Sequence, residues 1–146
     1  MTQRYMLDTH IVSHIMQGRD AGLLTQLSQI PVGQAVMSSV TLAELEYGLH
    51  RKGQPERLKN ALFQVLLRVD VLPWDEAAAR CYGLLCCALE AQGINLSDLD
   101  MMIAAHSLAT ETTLVSRDKA FQTVAGSLAD REPHELLPDP FRLEVW

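Results

Sequence analysis

Short apolar runs alternate along this chain with longer stretches of helical spacing. Residues 4–8 (RYMLD), 34–40 (QAVMSSV), 69–73 (VDVLP) and 112–116 (TTLVS) are brief and rich in Val, Leu or Met, as buried strands are. Between them, TLAELEYGLHR sets Leu42, Leu45 and Leu49 on one helical face, and PERLKNALFQVLLR does the same with Leu58, Leu62, Val65 and Leu66, with Pro55 at the first helical position. DEAAARCYGLLCCALEAQG predicts a helix stopped by Gly93, LSDLDMMIAAHSLATE a further helix, and RDKAFQTVAG a short one closed by Gly126. Strands alternating with helices of this length imply crossover connections and a mainly parallel sheet covered on both faces. The tail 127–146, with Pro133, Pro138 and Pro140, reads as an irregular surface excursion that returns an edge strand at FRLEVW. There is no internal repeat and no low-complexity segment.

Composition narrows the classes. A chain of 146 residues that is 48% hydrophobic fits one domain spanning 1–146, with a core large enough to fold without staples. A formal charge of −6 argues against a protein that coats nucleic acid, but not against a nucleic-acid enzyme with a local site. Cys81, Cys86 and Cys87 form no C-x-x-C pair and read as buried free thiols in a reducing compartment. The apolar run YGLLCCAL is far shorter than the roughly 20 residues of a membrane span, and no basic-then-apolar leader opens the chain, so the expected location is cytoplasmic.

In an open α/β sheet, ligands bind beyond the carboxyl ends of the strands. The first strand ends on Asp8, the second leads to Glu44 in the next helix, and the fourth leads to Asp118. Asp100, in the first turn of the helix feeding the fourth strand, can lean over the same edge. Each acid has a plainer explanation in helix capping: Thr41-x-x-Glu44 matches a capping box, Ser97-x-x-Asp100 nearly does, and Asp118 follows Ser116. Asp8 is the exception, because at a strand end it is not well placed to cap and Thr9 can take that role. Four carboxylates aimed at one cleft repel by roughly a few kcal/mol per close pair at an effective dielectric near 20, a cost that a divalent cation removes. Oxygen donors without accompanying Cys or paired His favour Mg²⁺ or Mn²⁺ over zinc.

Other signals are weaker. His10 and His14 share a helical face but lack the surroundings of a zinc motif. His106 reads as a partly buried, hydrogen-bonded core histidine, Asp98 as a capping or solvated acid, and Met101 and Met102 as core filler. Gly48, one turn after Glu44, leaves room for a substrate or a close helix contact. Arg51, Lys52, Arg117 and Lys119 are either solvated or in contact with phosphates of a bound strand. No Walker-type loop and no G-x-G-x-x-G is present. A phosphotransfer domain using Asp8 as nucleophile would carry, in its haloacid-dehalogenase form, an Asp two residues later, where this chain has His10.

Four segments, YMLDTHIVSHI, SSVTLAELEYG, LSDLDMMIAAHSLA and LVSRDKAF, resemble in order and spacing the four acidic motifs of PIN-domain ribonucleases, and most closely those of VapC-type toxins of bacterial toxin–antitoxin pairs. The resemblance spans residues 4–126. It implies a PIN-like three-layer α/β/α fold around a mainly parallel, four- to five-stranded sheet, with Asp8, Glu44, Asp100 and Asp118 as the metal-binding and catalytic quartet and Thr9 or Ser116 as a supporting hydroxyl. It further implies Mg²⁺- or Mn²⁺-dependent endonucleolytic cleavage of RNA, a homodimer, and inhibition by a cognate VapB-like antitoxin whose C-terminal segment covers the cleft. Several toxins of this type cut transfer RNA, some of them the initiator species in its anticodon loop. His10 stands where such toxins usually carry Asn, and the stretch 127–141 is longer than their link to the final strand. The alternative is a noncatalytic PIN-like interaction module whose acids only cap helices.

Overall fold

The computed structural model describes residues 2–129 and 141–146, so most of the irregular tail expected over 127–146 lies outside the described residues; at its start, 127–129 continue a helix instead. Five short strands, β1 (Tyr5–Leu7), β2 (Ala35–Ser38), β3 (Asp70–Leu72), β4 (Thr113–Val115) and β5 (Leu143–Glu144), form one sheet in the order β3-β2-β1-β4-β5. All four pairings are parallel. Seven helices connect or follow them among the described residues: α1 (Thr9–Gln17), α2 (Ala21–Gln29), α3 (Ser39–Arg51), α4 (Glu56–Arg68), α5 (Glu76–Glu90), α6 (Asp98–Ala109) and α7 (Lys119–Ala129).

The strands lack polar–apolar alternation because both faces of the sheet are covered. Met6, Val36 and Leu114, neighbours across three strands, point to one layer, where Leu85 and Leu89 of α5, Ile103 and Leu108 of α6 and Phe121 of α7 pack. Leu7, Ala35, Met37 and Val115 point the other way, onto Ile11 and Val12 of α1, Leu23 and Leu27 of α2, Leu45 and Leu49 of α3, and Leu62 and Val65 of α4. This is the three-layer arrangement expected, with five strands.

Several boundaries differ from the sequence expectation. Helix α2 has no counterpart in it, since Leu23 and Leu27 alone are buried there; Asp20 starts the helix by accepting the Leu23 N–H at 3.1 Å. Pro55 is the N-cap of α4, extended at φ −61° and ψ 138°, and not its first residue. Gly126 does not close α7, which runs on to Ala129 on the packing of Phe121 and Val124. Gly93 does close the turn after α5, at φ +70°, and the Ile94 N–H reaches back to the Leu89 carbonyl at 3.0 Å. Cys81 is buried as expected, but Cys86 is half-buried and Cys87 exposed, all three unbridged. Among the described residues no helix is long and apolar enough to cross a membrane.

Candidate active site

The carboxyl edge of the sheet receives its acids through helix starts. Asp8 follows β1 directly, its N–H still bonded to the Val115 carbonyl of β4 at 3.1 Å, and its side chain turns back to cap α1, where Oδ1 accepts the Ile11 N–H at 2.9 Å. The expectation that Asp8 is badly placed to cap is therefore wrong. Three strand residues end one position before the helix begins, and this tight strand-to-helix transition puts the last extended residue in the N-cap. Asp8 Oδ2 accepts the Ser116 hydroxyl, and Ser116 Oγ in turn accepts the Asp118 N–H at 3.0 Å. Ser116 thus links the Asp8 carboxylate to the Asp118 backbone across β1 and β4. Asp118 Oδ1 accepts the Ala120 N–H at 2.9 Å and opens α7.

Glu44 departs from its capping explanation. The N-cap of α3 is Ser38, whose Oγ accepts the Val40 N–H at 3.1 Å, so Thr41 is a fully buried residue within the helix and no capping box forms. Glu44 Oε1 accepts the Thr9 hydroxyl at 2.7 Å, and Thr9 Oγ1 also lies 3.2 Å from Thr41 Oγ1. Ser97 does cap α6, accepting the Asp100 N–H at 3.2 Å. The half-buried Asp100 carboxylate itself has no hydrogen bond among the described residues. Capping accounts for one oxygen each of Asp8 and Asp118, but for neither oxygen of Glu44 or Asp100.

Asp8 is 2% exposed. Burial holds its carboxyl above the usual carboxylate range and Asp100 adds to the rise, against the opposing hydrogen bonds from Ser116 and Ile11 and the nearby His10. Each Asp8 oxygen uses one lone pair on its hydrogen bond and keeps another, and all four acids offer hard oxygen donors, so the chemistry of the set fits Mg²⁺ or Mn²⁺. The side chains do not stand as a finished cage: among the described residues no group of three or more His, Cys, Asp or Glu is gathered to hold a metal ion. Asp8 and Asp118 are joined through Ser116, Asp100 acts on Asp8 through space, and Glu44 is tied to Thr9.

A cleft of about 540 Å³ opens from Thr9 and Glu44 between α1, α3 and α4. Met16, Leu45, Leu49 and Leu58 supply its apolar lining, and Arg19, Lys52 and Arg57 its cations. Gly48 also lines it, and a Cβ there would meet nothing within 4 Å, consistent with the room expected beside Glu44. Arg117 does not face this cleft: its guanidinium pairs with Asp20 at 2.8 Å and donates to the Trp146 carbonyl at 2.6 Å. His10 and His14 are exposed. Thr41 carries a capping signature in sequence although it lies buried within α3, and Arg19 and Arg57 carry no signal because neither lies near an acidic motif.

The PIN-domain family model matches residues 5–127. The chain belongs to the PIN-domain family. Among its PIN-domain relatives, "Ribonuclease VapC2" of Haemophilus influenzae is 33% identical over 115 residues, covering 79% of this chain and 86% of the relative. "tRNA(fMet)-specific endonuclease VapC" of Shigella flexneri is 32% identical over 124 residues, covering 84% and 93%. Of solved PIN-domain structures, the VapBC2 complex of Rickettsia felis bound to a promoter DNA fragment matches with a TM-score of 0.82 at 26% identity, covering 99% of both chains. DNA-bound VapBC of Salmonella typhimurium matches at 0.81 and 25%, again over 99% of both. The PIN fold implied by the four motifs is therefore the fold present.

Proposed function

We propose that this PIN-domain chain is the toxin of a toxin–antitoxin pair, an endoribonuclease that hydrolyses RNA phosphodiester bonds with Mg²⁺ or Mn²⁺ held by Asp8, Glu44, Asp100 and Asp118. The observation that carries the reading is the pair of acids without a capping role, Glu44 and Asp100, brought to the same sheet edge as the buried Asp8, in a chain 33% identical to a named ribonuclease. A bound divalent ion supplies a water of lowered pKa and offsets charge developing at phosphorus during in-line displacement. Ser116 orients the Asp8 carboxylate and holds the Asp118 backbone beside it, and Thr9 holds one Glu44 oxygen while leaving the other open. The Asp100 carboxylate, without hydrogen bonds, is free to turn toward Asp8. The cations along the cleft suit RNA phosphates. Relatives named for tRNA(fMet) make transfer RNA the candidate substrate, the VapBC complexes make a VapB-like antitoxin the candidate partner, and the resemblance of the four motifs makes a homodimer the candidate assembly.

The test is incubation of purified protein with total small RNA, with Mn²⁺ or with EDTA, beside Asp100→Ala. Discrete metal-dependent cutting that disappears in the variant is expected. The second reading, a noncatalytic PIN-like module, is favoured by the absence of a finished three-acid cage among the described residues. It predicts no metal-dependent cutting, and identical cutting by both proteins would remove the site assignment.

A further inference from the structure

Among the described residues, His106 is the most enclosed titratable side chain outside the four acids. It is fully buried on α6, in the layer between that helix and the sheet, with Nδ1 2.7 Å from Ser38 Oγ. The expectation of a partly buried histidine understated its enclosure. Burial pushes its pKa down, against the opposing effects of Asp75 and of a hydrogen bond with the Pro73 backbone.

Ser38 ends β2 and caps α3 through the Val40 N–H, so the ring holds the residue from which α3 starts. Helix α3 carries Glu44, and α6, which carries His106, presents Asp100 in its first turn. A second tie runs parallel to the first: the Trp74 N–H donates to Ser39 Oγ at the start of α3, and its indole N–H donates to the Met102 carbonyl of α6 at 3.0 Å each. These two polar links join the helices that carry the two acids not explained by capping.

We infer that His106 is a positioning residue: through Ser38 it sets α6 against the start of α3 and so fixes the separation of Asp100 from Glu44. The inference rests on the metal-site reading above, because the separation matters only if the two acids act on one ion.

The experiment compares wild type, His106→Leu, His106→Asn and Ser38→Ala for Mn²⁺ affinity without RNA, for kcat and KM on small RNA, and for melting temperature. His106→Leu is expected to stay folded with a melting temperature near that of wild type. It should bind Mn²⁺ about tenfold more weakly and lose kcat by about ten- to a hundredfold, the range for groups that orient metal ligands, with KM little changed. His106→Asn, whose amide can reach Ser38, should recover most of both. Should His106→Leu fail to fold, Ser38→Ala carries the same expectation for Mn²⁺ affinity. Wild-type Mn²⁺ affinity and kcat in a folded His106→Leu, or in Ser38→Ala, would overturn the inference alone; a wild type that neither binds Mn²⁺ nor cuts RNA would overturn it together with the metal-site reading.

Discussion

Thr9 Oγ1 donates to Glu44 Oε1 at 2.7 Å, so the first residue of α1 holds the acid of α3 across 35 positions of sequence. A half-buried hydroxyl on a carboxylate restricts its rotamer as well as stabilising its charge. Thr9→Val, which keeps the shape and removes the hydroxyl, is expected to cost about 1–3 kcal/mol of stability at most and to lower kcat more than it raises KM. Glu44→Gln, which keeps an acceptor for Thr9, should melt near wild type and yet lose cleavage. Steady-state kinetics beside thermal melts separate the two effects.

Asp8 ties acid chemistry to stability. Its folded pKa is raised by burial, so between the ordinary carboxylate value, about 4, and the folded value the folded chain keeps a proton that the unfolded chain has released. Stability of the metal-free protein contributed by this group is therefore present at low pH and falls as pH rises through that window. Asp8→Asn cannot ionise but still accepts the Ile11 N–H, and it should raise the metal-free melting temperature at pH 7, with the gap closing toward pH 4. Asp8→Ala loses the cap and should be less stable than Asp8→Asn by about 0.5–2 kcal/mol. Neither variant should cut RNA. A metal-free Asp8→Asn that melts well below wild type at pH 7 would show that the hydrogen bonds to Asp8 outweigh its burial.

Metal addition should act on the folded state directly. An ion that binds the native site and not the unfolded chain stabilises by about 2.7 kcal/mol at a hundred times its Kd. Mn²⁺ should therefore raise the melting temperature of wild type by several degrees and that of Asp100→Ala by much less, and EDTA should reverse both. An equal rise in the two proteins would place binding elsewhere.

The basic residues divide into two groups. Arg117 is engaged by Asp20 and the Trp146 carbonyl, and Asp20 is held below the usual carboxylate range by the Leu23 N–H and by Arg117. Arg117→Ala should leave kcat and KM unchanged and lower the melting temperature slightly. Lys52→Glu and Arg57→Glu, in the cleft wall, should raise KM for RNA and flatten its dependence on salt, with kcat little altered. Titrating cleavage against KCl concentration distinguishes the two groups.

Much of the fold was legible because it depends on local pattern. The strand runs before Asp8 and around Ala35–Ser38, Asp70–Leu72 and Thr113–Val115 announce themselves by continuous apolar residues, and Leu42, Leu45 and Leu49 by helical spacing. Helix α2 escaped because Leu23 and Leu27 give too sparse an apolar stripe, and Gly126 misled because packing of Phe121 and Val124 outweighs a glycine's helix penalty.

The sequence by itself determined the α/β order, the placement of three acids after strands and a fourth in the first turn of α6, and the choice of oxygen donors, because each follows from residue type and near-neighbour spacing. Only the tertiary structure decided which acids cap helices and which do not, that Ser116 bridges Asp8 and Asp118 while Thr9 holds Glu44, and that Arg117 is spent on Asp20. Those are contacts between residues up to 108 positions apart, formed where parallel strands converge at one edge, and their hydrogen bonds depend on angles and distances that no local pattern encodes.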